Sequence, residues 1–408
     1  MAGLDLHLIL RVLLALALII LATRVTGRLL RAFGQPAIIG EIAAGILLGP
    51  SFFGAIAPEI SAALLPPAVI PPIERLASLG VVLFMFAVGA ELDLAAVRRG
   101  ARAAIAIAQV SIAVPFVLGA ALALWLHPTW GAPGVPAFAF TLFTGVAMSV
   151  TAFPVLARII ADFALQRTPV GTLALSAAAV GDVIAWCLLA TVAGLARAQG
   201  GAGLRTTALA IGFGVAMVVL VRPAVARLAS GPPAPGRLVL LLFGALASAA
   251  VTDAIGIHAL FGAFLFGAFV PAHSPVAEAI IARLSAPIGF LLPAFFAITG
   301  VRTELRLIDS APAWLVFFLI MAIACGGKIG GSYAAARWAG VPGRDARAIA
   351  VLMNTRGLVE LVVLNVGLSL GVITPALFTM FVLMALATTA MTAPLMRWMG
   401  WRGATPGG

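Results

Sequence analysis

Apolar stretches of bilayer-crossing length recur along the whole of this 408-residue chain, and that recurrence constrains its fold more than any other feature. A helix needs about 20 consecutive apolar residues to traverse the hydrocarbon layer, and no water is available there to satisfy exposed backbone groups. Thirteen such runs can be delimited, at approximately 7–27, 37–53, 76–92, 103–126, 136–161, 169–195, 206–228, 237–253, 255–272, 285–301, 312–337, 346–368 and 373–396. The implied class is an all-α polytopic membrane protein with short connections. Composition agrees: 63% of residues are hydrophobic and only 10% charged, which excludes a soluble globule. Met1 to Ile20 has no basic leader and no small-residue cleavage signal, so it reads as a retained first helix.

The formal charge of +11 would suggest a nucleic-acid partner in a soluble protein. Here the arginines sit between apolar runs, where they orient the chain against anionic lipid, and no nucleic acid is expected. With the N-terminus outside, 17 loop arginines face the cytoplasm and 5 face out. One helix more or fewer would destroy that asymmetry. The expected arrangement is therefore N-terminus out and C-terminus cytoplasmic, in a plasma (inner) membrane. Residues 399–408 form a short tail. The two cysteines, Cys187 and Cys325, fall inside spans and suggest neither a disulfide nor a metal site.

Two spans carry a charge far from either end: Asp182 in the sixth and Lys328 in the eleventh. A charge at mid-membrane costs at least ~2.5–3.5 kcal/mol, which marks both as functional-site candidates. Two others look interrupted. Pro154 stands in the middle of the fifth, where it removes a backbone donor and clashes with the preceding turn. The twelfth packs Asn354, Thr355, Arg356, Gly357 and Glu360 into one crossing. Paired interruptions point to a transporter built from inverted repeats, with its site near the midplane. Spans 1–6 (about 1–196) and 8–13 (about 237–398) then form two six-helix units joined by a linker helix at about 206–228, all within one transmembrane domain over 1–398. The fifth helix of each unit is the broken one. The plainer alternative makes Pro154 a kink and residues 354–360 a polar helix contact.

Certain runs are more specific. Gly34-Gln-Pro-Ala-Ile-Ile-Gly-Glu-Ile-Ala-Ala-Gly-Ile-Leu-Leu-Gly-Pro-Ser51, Phe84-Met-Phe-Ala-Val-Gly-Ala-Glu-Leu-Asp93, Thr151-Ala-Phe-Pro-Val-Leu-Ala-Arg158, the Asp182 helix and Met353-Asn-Thr-Arg-Gly-Leu-Val-Glu-Leu361 together resemble the monovalent cation:proton antiporters. Within them the chain is similar to the second cation:proton antiporter family, which includes potassium-efflux and sodium/proton exchangers. The resemblance implies a core domain with two crossed, broken helices, moving against a dimerisation domain in a homodimer. It implies that Asp182 binds cation and proton alternately, that Lys328 lies close by, and that Thr151 and Ser149 on the unwound fifth helix help hold the ion. Electrogenic members carry two adjacent acids, whereas this chain has Gly181-Asp182, so the usual ion-pair partner of the lysine is missing. No ligand-sensing domain follows the last span, so gating of that kind is not expected.

The expected function is exchange of Na+ or K+ for H+ by alternating access, without a cofactor. One-for-one, electroneutral turnover follows if Lys328 keeps its proton; a structural charge neutralising helix carbonyl ends is the alternative for it. Arg356 and Glu360 read as a structural pair on one helix face that supports the crossing together with Asn354, Thr355 and Pro154. His258, at an external turn, is a candidate pH sensor or an ordinary loop residue. A passive cation channel or a sodium-coupled symporter on a similar scaffold is the competing function. An enzyme is not expected: Asp182 is the one deep aspartate, so no carboxylate dyad forms, and no His-Glu-x-x-His motif exists.

Overall fold

The computed structural model describes residues 6–91, 101–166, 168–197, 202–255, 259–272 and 274–401. His258 lies outside them. Sixteen helices of eight residues or more carry the described chain. They are α1 (Leu6–Ala32), α2 (Ala37–Leu48), α3 (Ile70–Glu91), α4 (Ala101–Trp130), α5 (Ala137–Ser149), α6 (Phe153–Asp162), α7 (Pro169–Arg197) and α8 (Ala202–Ala216). There follow α9 (Arg222–Ala229), α10 (Pro235–Ile255), α11 (Ala259–Gly267), α12 (Pro275–Val301), α13 (Ala311–Trp338), α14 (Gly343–Met353), α15 (Leu358–Ser369) and α16 (Pro375–Trp398). Among the described residues, 11 helical segments are long and apolar enough to cross a membrane. The sixth expected span is the 29-residue α7, and the ninth contains the 9-residue α11. Large apolar side chains point outward, with Leu14 71%, Phe243 69% and Phe318 61% exposed, as a lipid-facing surface requires.

Two compact units make up the chain, and neither is a contiguous half. The first takes Met1–Leu29, Gly40–Leu94 and Ala193–Arg302; the second takes Leu30–Ile39, Ala95–Val192 and Thr303–Gly408. Each draws on both of the six-helix stretches anticipated from the sequence.

In the first unit α3 packs on α11 and α12, and α10 packs on α11. Without a hydrophobic driving force between helices in lipid, close van der Waals approach has to hold them together, and small residues permit it. Gly45 on α2 lies against the backbone of Ala297 on α12, and Gly300 answers from α12 against Ile42 and Gly45. The Gly45-xxx-Gly49 spacing is thus the seam of this helix pair, with Gly49 beside Val301. The expected linker is α8 and α9 joined by a π-helical segment, Met217–Val221. Its cause is Pro223: the ring lacks an N–H and collides with the carbonyl four residues back, so the preceding turn widens.

In the second unit α4 packs on α5 and α13, and α13 packs on α14 and α16. The core around Leu156, Ile160, Ala178, Ile349 and Leu352 brackets the two interrupted spans. Both interruptions are real breaks. Helix α5 stops at Ser149, Val150 is extended (φ −71°, ψ 141°), and α6 begins at Phe153 with Pro154 in its first turn. There the proline's missing N–H costs nothing, because first-turn donors have no intrahelical acceptor. Helix α14 stops at Met353 and α15 begins at Leu358.

The close α2–α12 approach leaves no room for a side chain. Gly45→Val should destabilise the protein by about 1–3 kcal/mol through overpacking, read as a lower unfolding temperature in detergent.

A charged crossing of two broken helices

The crossing lies wholly in the second unit. A broken helix inside a membrane exposes orphan carbonyls at one end and orphan N–H groups at the other. These ends carry roughly half a charge each, negative at the C-terminus and positive at the N-terminus. How this chain satisfies them defines the site.

The two unwound stretches are stitched together directly. The Ala152 N–H donates to Thr355 O at 3.1 Å, and the Thr151 hydroxyl donates to Met353 O at 3.1 Å. Gly357 permits this approach, since a Cβ there would meet Val155 Cγ2 at 2.7 Å. The Thr389 hydroxyl fastens the second break from α16, donating to Arg356 O at 2.6 Å and accepting from Arg356 N at 3.0 Å.

Two buried cations cap the C-terminal end of α5. Arg356 donates to Ala147 O at 3.2 Å and Met148 O at 2.7 Å. Lys328 donates to Ser149 O and, at 2.9 Å, to Ser111 O on α4. Both side chains have no exposed surface. Arg356 also pairs with Glu360 Oε1 at 3.1 Å, in the first turn of α15. The pair therefore differs from the expected one on a single helix face: Arg356 precedes the helix, and its guanidinium spans from the end of α5 to the start of α15. Glu360 complements the positive end of α15 as Arg356 complements the negative end of α5.

Asp182 is 3% exposed on α7. Its carboxylate interacts with the backbone amide of Phe153, the first residue of α6, and with the charge of Lys328. Neither carboxylate oxygen has a hydrogen-bond partner of full geometry among the described residues. Lys328 spends hydrogen bonds on carbonyls instead of on this acid.

The remaining candidates are placed as follows. Ser149 is the last residue of α5; its hydroxyl turns back to Val146 O at 2.9 Å while its carbonyl receives Lys328. Thr151 is buried in the unwound stretch, its oxygen retaining lone pairs beyond the bond it donates. Asn354 Nδ2 reaches Cys325 Sγ at 3.9 Å and Met391 Sδ at 3.8 Å, leaving Oδ1 buried without a partner. The Thr355 hydroxyl likewise has none. Ser111 and Thr389 were not singled out in the sequence. Ser111 acts through its carbonyl and leaves no sequence signal. Thr389 is one of four buried threonines on α16, with Thr379, Thr388 and Thr392, whose crowding in one membrane-length helix is a usable signal.

Crossed discontinuous helices with buried charges at their ends are the architecture of a secondary ion transporter. The sodium/hydrogen exchanger transmembrane family matches residues 14–398, and the chain belongs to it. It is 40% identical over 399 residues to the Na(+)/H(+) antiporter NhaS4 of Synechocystis, covering 96% of this chain and 97% of that protein. It is also 40% identical to cation/H(+) antiporter 20 of Arabidopsis thaliana and 35% identical to K(+)/H(+) antiporter 1 of Saccharomyces cerevisiae. Of those two the chain spans about half the length, 47% and 43% respectively. The sodium proton antiporter MjNhaP1 of Methanocaldococcus jannaschii has the same fold, with a TM-score of 0.69 and 97% of both chains covered at 14% identity.

Removing the guanidinium strands Glu360 and two α5 carbonyls at once. Arg356→Ala should cost roughly 3–5 kcal/mol. The double variant R356A/E360A should be less destabilised than the single one, because no buried charge is left unpaired. Thermal unfolding of the purified variants, read as a double-mutant cycle, checks both.

Proposed function

We propose that the chain exchanges Na+ or K+ for H+ across a plasma (inner) membrane by alternating access, with proton and cation competing for the Asp182 carboxylate. The observation that carries this reading is that, among the described residues, neither buried Asp182 oxygen has a hydrogen-bond partner of full geometry, while the nearby lysine is engaged by carbonyls. A bare carboxylate in that position is costly, by several kcal/mol on burial, and either a proton or a metal cation relieves it. Thr151 Oγ1 lies in the unwound stretch that runs up to α6, whose first amide meets Asp182, and is the uncharged oxygen best suited to complete the ion's shell. Ser149 is a weaker ligand, its hydroxyl and carbonyl both being engaged.

Charge counting supports one-for-one exchange. Arg356 and Glu360 cancel, as do Lys328 and ionised Asp182. Adding a proton or a monovalent cation raises the cluster by the same single charge, so the two loaded forms are electrically alike. Lys328 supplies the fixed positive charge and the cap on α5, without giving up its proton. The bare form, with no donor of full hydrogen-bond geometry at its carboxylate among the described residues, is the one that does not reorient, and this prevents leak. The arginine bias of the loops supports a cytoplasmic C-terminus. The channel and symporter readings find no comparable support, since neither requires an acid left open for a proton.

Asp182→Asn keeps the shape and removes the titrating oxygen. In everted vesicles carrying a pH-sensitive dye, cation-evoked dequenching should fall to the background of vesicles without the protein; exchange at the unmodified rate would end the proposal. Electroneutral turnover predicts that the initial rate in proteoliposomes is unchanged by an imposed potential. A charge-moving cycle would instead feel ~2.3 kcal/mol per charge per 100 mV.

A further inference from the structure

At one end of the second unit, the end of α13, the start of α14 and the end of α16 come together. Arg344, Arg347, Trp398 and Met399 line a cavity of about 310 Å³ there. The Arg344 guanidinium lies 5.1 Å from the ring centroid of Trp401, and the Trp401 Nε1–H is buried with no acceptor among the described residues. Two tryptophans that end their helices, Trp338 on α13 and Trp398 on α16, are the most exposed large apolar side chains described, at 83% and 85%. The only acid in the first turn of α14, Asp345, lines a different cavity with Pro169, Val170 and Ile349.

We infer that this cavity is a binding site for the phosphate of an anionic membrane lipid. The features act together. Paired guanidiniums match phosphate oxygens, the first-turn amides of α14 favour an anion, and exposed tryptophans at helix ends belong at the headgroup level of a bilayer. Basic pockets between transmembrane helices on the positively charged side are suited to anionic headgroups, each arginine contributing about a fivefold gain in affinity. A lipid fits better than a soluble phosphate because the lining is otherwise apolar, Trp398 and Met399 offering surface to acyl chain and glycerol. None of these residues belongs to the ion-binding crossing.

The test uses the full chain, purified in detergent and titrated with phosphatidylglycerol, phosphatidylcholine or inorganic phosphate. Retention is followed by native mass spectrometry and stability by thermal unfolding. Phosphatidylglycerol should be retained and should raise the unfolding temperature, with phosphatidylcholine and inorganic phosphate far weaker. The double variant R344A/R347A should lose roughly 30-fold in apparent affinity for phosphatidylglycerol. Should it fail to fold, R347A alone, at an exposed side chain, should lose about fivefold. Equal retention of phosphatidylglycerol by wild type and variant, or a wild-type response to inorganic phosphate matching that to the lipid, would overturn the assignment.

Discussion

The crossing in the second unit depends on one electrostatic requirement: the carbonyl end of a helix halted inside a membrane must be met by hydrogen-bond donors, and at α5 these are charged. The end of α5 receives two buried cations, Lys328 and Arg356, through the carbonyls of Ala147, Met148 and Ser149. Non-helical backbone at this depth persists only when protein encloses it or it lines a water-filled cavity. Here the enclosure is specific, from α4 and α13 by way of Ser111 and Lys328, and from α16 by way of Thr389. Once those groups are committed to the backbone, Asp182 is the charge left without a firm partner, and the chemistry follows from that remainder.

The four interrupted ends are not treated alike. The N-terminal ends of α6 and α15 each have a buried carboxylate, Asp182 and Glu360. Glu360 is held by a guanidinium at 3.1 Å, whereas Asp182 has no such clamp. On the carbonyl side, α5 has two cations, while Met353 at the end of α14 has the Thr151 hydroxyl. The same structural problem is thus solved rigidly in one position and loosely in the other. Under the proposed exchange, looseness at Asp182 and Thr151 is what an exchangeable ligand requires, and rigidity at Arg356 and Glu360 would keep the crossing in register.

Much of this was legible in the letters. Apolar run length revealed the helices, Pro154 and the polar stretch 354–360 revealed the two breaks, and isolated mid-span charges revealed Asp182 and Lys328. The partner of the Gly45-xxx-Gly49 seam, Ala297 on α12, was not visible, because a helix pair separated by some 250 residues leaves no local trace. Backbone acceptors were invisible for the same reason: the carbonyls of Ser111 and Ala147 carry no side-chain signature. The four-residue spacing of Arg356 and Glu360 suggested one helix face, yet the helix starts only at Leu358. Grouping also escaped, since a six-plus-six count does not reveal that each compact unit collects pieces from both halves.

That collection has a consequence for how the chain is made. The groups capping α5 are Lys328, 179 residues downstream of its acceptor, and Arg356, 208 and 209 residues downstream of theirs. At ribosomal speeds of about 5–20 residues per second, the first interrupted span waits on the order of ten to forty seconds between leaving the ribosome and meeting its cations. During that interval its orphan carbonyls must be hidden by a continuous helix, by the insertion machinery or by water. The finished break is therefore a late event in biogenesis, completed only when the last third of the polypeptide has entered the bilayer.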